Sequence, residues 1–163
     1  MRSEDRAIVG EVLVSGTLKD VWDAWTTEEG AKSFFAPDCK TELKPGGAYE
    51  MYFALEYPPG LRGGEGCTVM AIEPMKMFAF TWNAPPNLQT VRGHFTHVVI
   101  RFEEVSEGTR VSLLHNGWGT SSEWDQAFEY FESAWLRVIL PRLKYRFDHG
   151  PIDWENPPDL SDE

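Results

Sequence analysis

The chain has 163 residues, which suits one ordinary domain and is too short for two well-built cores. An apolar fraction of 42%, with seven Trp, ten Phe and five Tyr, excludes a disordered chain. The formal charge of −11, without a visible basic stripe, argues against nucleic acid and anionic membrane surfaces as partners.

The start of the chain and its cysteines indicate the compartment. No apolar run approaches the ~20 residues of a membrane span, and the opening MRSEDR has no apolar stretch typical of a secretion signal. Cys39 and Cys67 are too few for a disulfide framework. We therefore expect a cytoplasmic protein, not inserted in a membrane, with two buried and reduced thiols.

A strand and two short helices are predicted at the beginning of the chain. Residues 7–14 are rich in β-branched side chains and end at Ser-Gly-Thr. Thr17 and Asp20 have the spacing of a capping pair at the start of a helix. The short helical patch at 21–25 follows. The run Thr26-Thr27-Glu28-Glu29 offers a second cap before residues 31–35.

An antiparallel meander is predicted from Cys39 to His115. Pro- and Gly-rich segments separate runs that have the composition of strands. These runs lie at about 39–43, 47–55, 66–72, 77–83, 91–104 and 109–116.

The last hairpin has a definite predicted register. Antiparallel partners point to the same face, so placing Glu104 opposite Thr109 divides the side chains into an apolar and a polar set. The predicted interior face contains Val98, Ile100, Phe102, Val111, Leu113 and His115. By the same alternation Tyr49, Met51 and Phe53 share one face, as do Phe78, Phe80 and Trp82.

A long C-terminal helix is predicted over residues 121–147. Thr120 and Glu123 have the spacing of a capping box before it, and aromatic and aliphatic residues recur at helical spacing. Pro141 removes a backbone hydrogen bond and should kink the helix near residues 137–139.

The final segment has a different composition. Residues 151–163 carry five acidic and no basic residues and contain three prolines. We predict one domain over residues 1–150, followed by a solvated acidic tail over 151–163.

Several local motifs resemble those of a known family. They are Val21 to Thr26 (VWDAWT), Pro45-Gly46-Gly47, Gly108 to Val111 (GTRV), Leu114 to Trp118 (LHNGW), and Ala134-Trp135 followed by Leu136, Leu140 and Leu143. Over residues 7–147 the chain resembles the activator of heat-shock protein 90 ATPase homologue-like family. That family lies within the START and birch-pollen-allergen-like (SRPBCC) superfamily of helix-grip proteins.

The resemblance implies an α+β helix-grip fold. This fold has a curved antiparallel sheet of about seven strands, two short helices after the first strand and one long C-terminal helix. The superfamily includes lipid carriers, cyclases, chaperone regulators and stress-response proteins, so fold alone does not fix the function. Ala134 stands where the family has Gly, and Phe34 where it often has Trp; these departures can reshape a cavity without changing the fold.

We expect a cavity for a small hydrophobic or amphipathic molecule between the sheet and the C-terminal helix. Ligand sites are typically apolar, and aromatic and methionine walls adapt to varied ligands. The alternative is that the same residues simply fill the core. The candidate lining residues are Met51, Phe53, Met70, Phe80, Trp82, Val98, Ile100, Leu113, His115, Trp118, Phe128, Phe131 and Trp135.

His115 is the polar residue of most interest in this set. It is a candidate to orient a ligand or to move protons, and the alternative is a core histidine bonded to its neighbours. His94 and His97 are three apart on a strand and would point to opposite faces, and His94 lies roughly 14 Å from His115 along the strands. We expect neither a metal site nor a cofactor.

Two loops are candidate gates. One contains Asn116 and Trp118, and the other contains Leu55, Tyr57 and Leu61. An apolar plug at the end of the barrel is the alternative.

The remaining alternatives concern catalysis and partners. The sequence has no nucleophile elbow and no phosphate-binding or dinucleotide-binding glycine pattern. The first hypothesis is therefore a non-catalytic binding protein. A cyclase-like or hydrolase-like enzyme that uses a cavity His or carboxylate stays open. A homodimer and a chaperone partner stay open as well.

Overall fold

The computed structural model describes residues 6–160 and has the helix-grip architecture. Five strands form one antiparallel sheet in the order β1-β7-β6-β5-β4, and β2 and β3 form a two-stranded sheet. Single bridges at Ala48–Thr68 and Tyr52–Gly63 join β3 to the segment before β4. The strands are β1 Ile8–Val14, β2 Asp38–Thr41, β3 Tyr49–Tyr52, β4 Val69–Glu73, β5 Met77–Trp82, β6 Thr96–Val105 and β7 Gly108–Asn116.

The helices surround one face of this sheet. The two predicted short helices are present between β1 and β2. A further short helix occupies the start of the predicted strand at 91–104, so that prediction was wrong at its beginning. The helices are α1 Leu18–Thr26, α2 Glu28–Lys32, α3 Gln89–Arg92, α4 Ser122–Ser133 and α5 Leu140–His149, with a π-helical segment at Ala134–Ile139 between the last two.

The predicted register of the β6-β7 hairpin is confirmed. Val98 lies opposite His115, and Glu104 lies opposite Thr109. Val105 and Gly108 form one further pair, so the turn has only two residues. Gly108, directly after the turn, has a φ of 142°. A β-carbon at Gly108 would collide with the carbonyl oxygen of Val14, so this hairpin requires glycine here.

A bulge in β4 corrects the predicted position of Met70. Val69 pairs with Phe80, but Ala71 already pairs with Ala79, so Met70 is the extra residue between them. The bulge breaks simple alternation, and Met70 is 44% exposed. The prediction that Met70 lines the cavity was therefore wrong.

Hydroxyl caps begin both short helices, as predicted. The side chain of Thr17 accepts a hydrogen bond from the backbone N–H of Asp20 at 3.2 Å. That of Thr27 accepts one from Gly30 at 3.0 Å. Each cap satisfies a donor that has no partner within its helix, which typically stabilises by about 1 kcal/mol.

The predicted cap of the long helix was displaced by one residue. Ser121, and not Thr120, is the cap, and its hydroxyl accepts from the backbone N–H of Trp124 at 3.1 Å. The carboxylate of Glu123 turns instead to the beginning of α3, where it accepts from two backbone N–H groups at 2.8 and 3.2 Å. The two helices are thus joined by a shared cap.

The C-terminal helix runs through residues 122–149 with one wider turn. The backbone N–H of Leu140 bonds to the carbonyl of Trp135, five residues earlier, which is the π-helical pattern. Pro141 has no N–H to donate, and its ring would crowd an α-helical carbonyl four residues before it. A π-helical segment lies where the kink was predicted, and the kink itself stays a prediction.

Trp25 is at the centre of the core that fixes α1 and α2. Its ring makes edge contacts with Phe34, Phe35 and Phe78 at centroid distances of 4.9, 5.5 and 6.3 Å. The buried hydroxyl of Tyr49 donates to the Trp25 carbonyl at 2.7 Å. Burying one large aromatic side chain contributes roughly 2–3 kcal/mol, and this cluster holds Phe35 in place.

The segment after α5 was predicted to be a solvated acidic tail; its described acidic side chains are exposed, but part of the segment packs against the domain. Ile152 and Leu160 are buried, and the backbone N–H of Ile152 donates to the carbonyl of Ser33 at 2.8 Å. The indole N–H of Trp154 donates to the carbonyl of the last residue of α2 at 2.6 Å. The predicted tail also included residues 161–163, which lie outside the described residues.

Candidate functional site

An apolar cavity of about 340 Å³ lies between the C-terminal helix and an aromatic wall beneath it. The wall comes from the segment after α2, from the end of β5 and from the residue after β3. The helix contributes one face of α4, the π segment and the first turn of α5. The lining residues are Phe35, Phe53, Trp82, Tyr130, Phe131, Ser133, Ala134, Trp135, Val138, Ile139 and Arg142.

Three aromatic rings form the floor of the cavity. The Phe35 centroid lies 5.8 Å from Trp82 and 5.7 Å from Trp135, and the two indoles are 5.6 Å apart. All three side chains are buried, so their geometry is fixed by the core behind them. A rigid aromatic floor offers large contact area at little entropic cost.

The mouth is formed by lining residues that solvent reaches. Phe53, Tyr130 and Val138 are 40%, 53% and 37% exposed, and Arg142 is half-buried beside them. A smaller hollow of about 160 Å³ shares Phe53 and Tyr130 with the cavity and extends under the loop after β3. The two hollows therefore meet at the mouth.

The π turn shapes the helical wall. In a regular α-helix, residues four apart drift by about 40° around the axis. The wider turn of a π-helix reduces that drift, so Trp135 and Ile139 remain on the cavity side together. Single π turns of this kind are frequent at functional sites.

His115 lies behind the cavity floor with both ring nitrogens hydrogen-bonded. Nδ1 accepts from the indole N–H of Trp135 at 3.0 Å, so the ring proton belongs on Nε2. Nε2 then donates to the hydroxyl of Thr96 at 2.6 Å, and this hydroxyl donates to the carbonyl of Trp82 at 3.1 Å. Burial lowers the pKa of His115 to about 3, so the ring is neutral at pH 7.

This arrangement makes His115 a structural histidine. It does not line the cavity, and it positions the Trp135 indole that does. Trp118 covers the other side of the imidazole at a centroid distance of 4.3 Å and packs edge-on against Phe128 at 5.3 Å. The loop that contains Trp118 thus forms an apolar plug, which was the alternative to a gate.

The predicted lining residues separate into four groups. Phe53, Trp82, Phe131 and Trp135 line the cavity. Met51, Phe80, Val98, Ile100 and Leu113 are fully buried core residues beneath it, as the core alternative expected. His115, Trp118 and Phe128 belong to the plug, and Met70 is exposed.

The predicted lining omitted seven of the eleven residues at the cavity, among them Phe35, Tyr130 and Arg142. Arg142 follows Val138 by four and Trp135 by seven residues, so it continues the helical stripe already recognised. That spacing could have revealed it. Phe35 had no such signal, because only the folding of α2 brings it to the floor.

The two cysteines are free and buried, as predicted. Burial raises the pKa of the Cys39 thiol to about 11 and that of Cys67 to about 12. Both thiols are therefore protonated and unreactive near pH 7. Within residues 6–160, no helix combines the length and the apolarity that crossing a bilayer requires.

Comparison with known families assigns the chain. The family described as activator of Hsp90 ATPase homolog 1-like protein matches residues 16–147, which include strands β2 to β7, the cavity and almost all of the last helix. The chain belongs to this family. No functionally curated protein matched it.

Solved structures support the fold of this Hsp90 ATPase activator-like chain. Protein MLL2253 of Mesorhizobium loti is similar over 90% of this chain and 100% of its own, with a TM-score of 0.71 and 18% identity. The Aha1 dimer of Colwellia psychrerythraea covers 89% and 98%, with a TM-score of 0.67 and 21% identity. CalU16 of Micromonospora echinospora covers 92% and 78%, with a TM-score of 0.63 and 21% identity.

Proposed function

We propose that this chain binds a small hydrophobic or amphipathic molecule in the cavity beneath the C-terminal helix. The observation that supports this proposal is the 340 Å³ apolar space with a buried aromatic floor and a solvent-facing mouth. Ligand sites have this character: concave, mainly apolar and largely preformed.

Filling the cavity tests the proposal. Ala134 lines the cavity from the helix, so we expect Ala134→Phe to occupy ligand space and weaken binding of an apolar fluorescent probe by about tenfold or more. The measurement is a probe titration, with native mass spectrometry after gentle purification to detect a retained ligand.

Gln126→Phe is the matched control for that experiment. It places the same ring on the same helix at an exposed position outside the cavity. We expect it to bind the probe as the parent chain does. Equal weakening by both substitutions, or no saturable binding by the parent, would contradict the cavity as the binding site.

A catalytic role for His115 has no support in the geometry. Both nitrogens are bonded, the ring is buried, and the Trp135 indole lies between it and the cavity. A general acid or base must reach the proton that it transfers. Binding without catalysis is therefore the function that we propose.

Self-association through the outer face of the sheet is a second candidate. A continuous apolar row crosses all five strands there, flanked by polar rows that include Glu11 and Arg101. The similarity to a dimeric Aha1 structure agrees with this candidate. Sequence identities of 18–21% are too low to infer from these structures that this chain has a chaperone partner. The row consists of Val9, Leu114, Val99, Ala79 and Ala71.

A further inference from the structure

Arg142 brings a positive charge to an otherwise uncharged cavity. Among the described residues that line the cavity, it is the only ionisable side chain that carries charge at pH 7. Within residues 6–160 no salt bridge joins its guanidinium to a carboxylate. Burial lowers the pKa of Arg142, but a guanidinium stays charged at neutral pH. A half-buried cation that pairs with no described carboxylate is costly, and a bound anion would remove that cost.

The guanidinium is held at the mouth by the C-terminal segment. Its central carbon lies 5.2 Å from the centroid of the Trp154 ring. That ring is itself anchored, because its N–H donates to the carbonyl of Lys32 at 2.6 Å. Stacking on an aromatic face leaves the N–H donors at the guanidinium edge available for hydrogen bonds. The site is therefore preorganised to receive an anionic group.

The surrounding charge favours an anion locally, although the whole chain is acidic. Residues 134–149 carry three Arg and one Lys against a single Asp, in a chain of net charge −11. Asp159 borders a small hollow that Arg137 and Arg142 also line, so these two cations outnumber the carboxylate there. The positive side chains thus concentrate on the helix that covers the cavity.

We propose that the cavity takes an amphipathic carboxylate, with its apolar body over the aromatic floor and its carboxylate paired with Arg142. This inference rests on the proposed function and narrows its ligand class. A guanidinium fork matches a carboxylate through two parallel hydrogen bonds. Arg142 lies seven residues beyond Trp135, roughly 10 Å along the helix. The apolar body of the ligand and its carboxylate would therefore occupy separate parts of the cavity.

The volume sets the size of the ligand. A volume of about 340 Å³ lies at the lower end of the roughly 300–1,000 Å³ that small-molecule sites occupy. Medium-chain acyl acids and bicyclic aromatic acids are of this size. Decanoate and 1-naphthoate are therefore suitable probes, with decanol and 1-naphthalenemethanol as their neutral counterparts.

Titration calorimetry with these four probes tests the proposal. We expect the parent chain to bind each acid about tenfold or more tightly than its alcohol, as a charge-assisted hydrogen bond requires. Arg142→Gln should abolish this preference and leave the affinity for the alcohols within about twofold. Comparing decanoate with 1-naphthoate shows whether the body is acyl or aromatic.

Two further variants test whether the preference for acids depends on the charge and the position of Arg142. Arg142→Lys retains the charge and should restore part of the preference. Arg137→Gln removes one charge from an exposed position on the same helix, outside the cavity, and should leave the preference intact. Thermal unfolding by circular dichroism establishes that each variant is folded.

The outcomes separate this inference from the proposed function. If acids and alcohols bind the parent chain equally, the carboxylate subsite is wrong and the apolar cavity function stands. If Arg137→Gln abolishes the preference for acids as fully as Arg142→Gln does, the preference arises from the overall positive charge of the helix. The carboxylate subsite at Arg142 is then wrong. If no probe binds the parent chain, both proposals are overturned.

Discussion

The imidazole of His115 joins two strands and the long helix through a short hydrogen-bonded chain. It accepts from Trp135 on one side and donates to Thr96 on the other, with each partner buried. A buried polar group without a partner costs about 1–3 kcal/mol. The network therefore holds the cavity floor in one orientation, although His115 touches no ligand space.

Two replacements of His115 should distinguish the contribution of its hydrogen bonds to stability from the contribution of its packing. We expect His115→Leu to lower the free energy of unfolding by about 2–4 kcal/mol, because it leaves the Trp135 indole N–H without an acceptor and the Thr96 hydroxyl oxygen without its donor. His115→Gln offers an acceptor and a donor and should lose less. Urea denaturation at pH 7 measures both, and equal losses would argue against the hydrogen-bonded role.

The same residue predicts a pH dependence of stability. The His115 pKa is about 3 in the folded chain and about 6.5 when unfolded, so the unfolded state binds the additional proton between these values. Stability from this group is complete above pH 6.5 and is lost as the pH falls toward 3. From pH 7 to pH 5 the expected loss is about 2 kcal/mol.

His115→Gln is the control for this pH prediction, since glutamine does not titrate. Its free energy of unfolding should fall less between pH 7 and pH 5 than that of the parent chain, by the same ~2 kcal/mol. Parallel pH profiles for the two proteins would show that His115 is not the group responsible.

At the scale of elements, the segment after α5 stabilises the mouth of the cavity. Ile152 is buried, and Trp154 lies under the Arg142 guanidinium while bonded to the end of α2. Asp159 of this segment borders a hollow that Arg137 and Arg142 of the helix also line. The composition of this segment indicated solvation, but two apolar residues and one Trp were enough to anchor it.

A substitution in this segment should therefore be destabilising. We expect Ile152→Ala to lower the free energy of unfolding by about 2 kcal/mol, because it leaves a void under a buried side chain. Asn156→Ser, at an exposed position three residues after Asp153, is the control and should have little effect. A solvated tail would make both substitutions neutral in denaturant titrations.

At the scale of the whole molecule, the outer face of the sheet offers an apolar row to a second copy. Val9 at one edge is largely exposed, and the row continues through Leu114 into the neighbouring strands. A two-fold interface would bring the same row from two chains together. The net charge of −11 opposes association at low salt, and moderate salt screens that repulsion.

Sedimentation equilibrium in moderate salt checks this prediction. We expect the parent chain to have twice the monomer mass and Leu114→Lys to be monomeric, since a charge in an apolar interface loses its hydration. Ser112→Lys, on the same strand in the adjacent polar row, should remain dimeric. A monomeric parent chain would exclude this interface.

The sequence by itself determined the order of the elements other than α3, the register of the last hairpin and the place in the long helix where Pro141 interrupts the hydrogen-bond pattern. These features depend on local alternation, capping chemistry and the missing N–H of proline, all of which act between residues close along the chain. Four of the cavity residues followed from the same periodicity.

Only the tertiary structure decided where the empty space lies. The bulge that exposes Met70, the approach of Phe35 to the floor and the docking of Ile152 depend on contacts between residues far apart in the chain. Alternation tells which side of a strand faces inward, but it does not tell which inward side chains meet and which leave a gap. The volume of a cavity is the difference between the space that the backbone encloses and the volume that the side chains fill. Only the packed tertiary structure determines that difference.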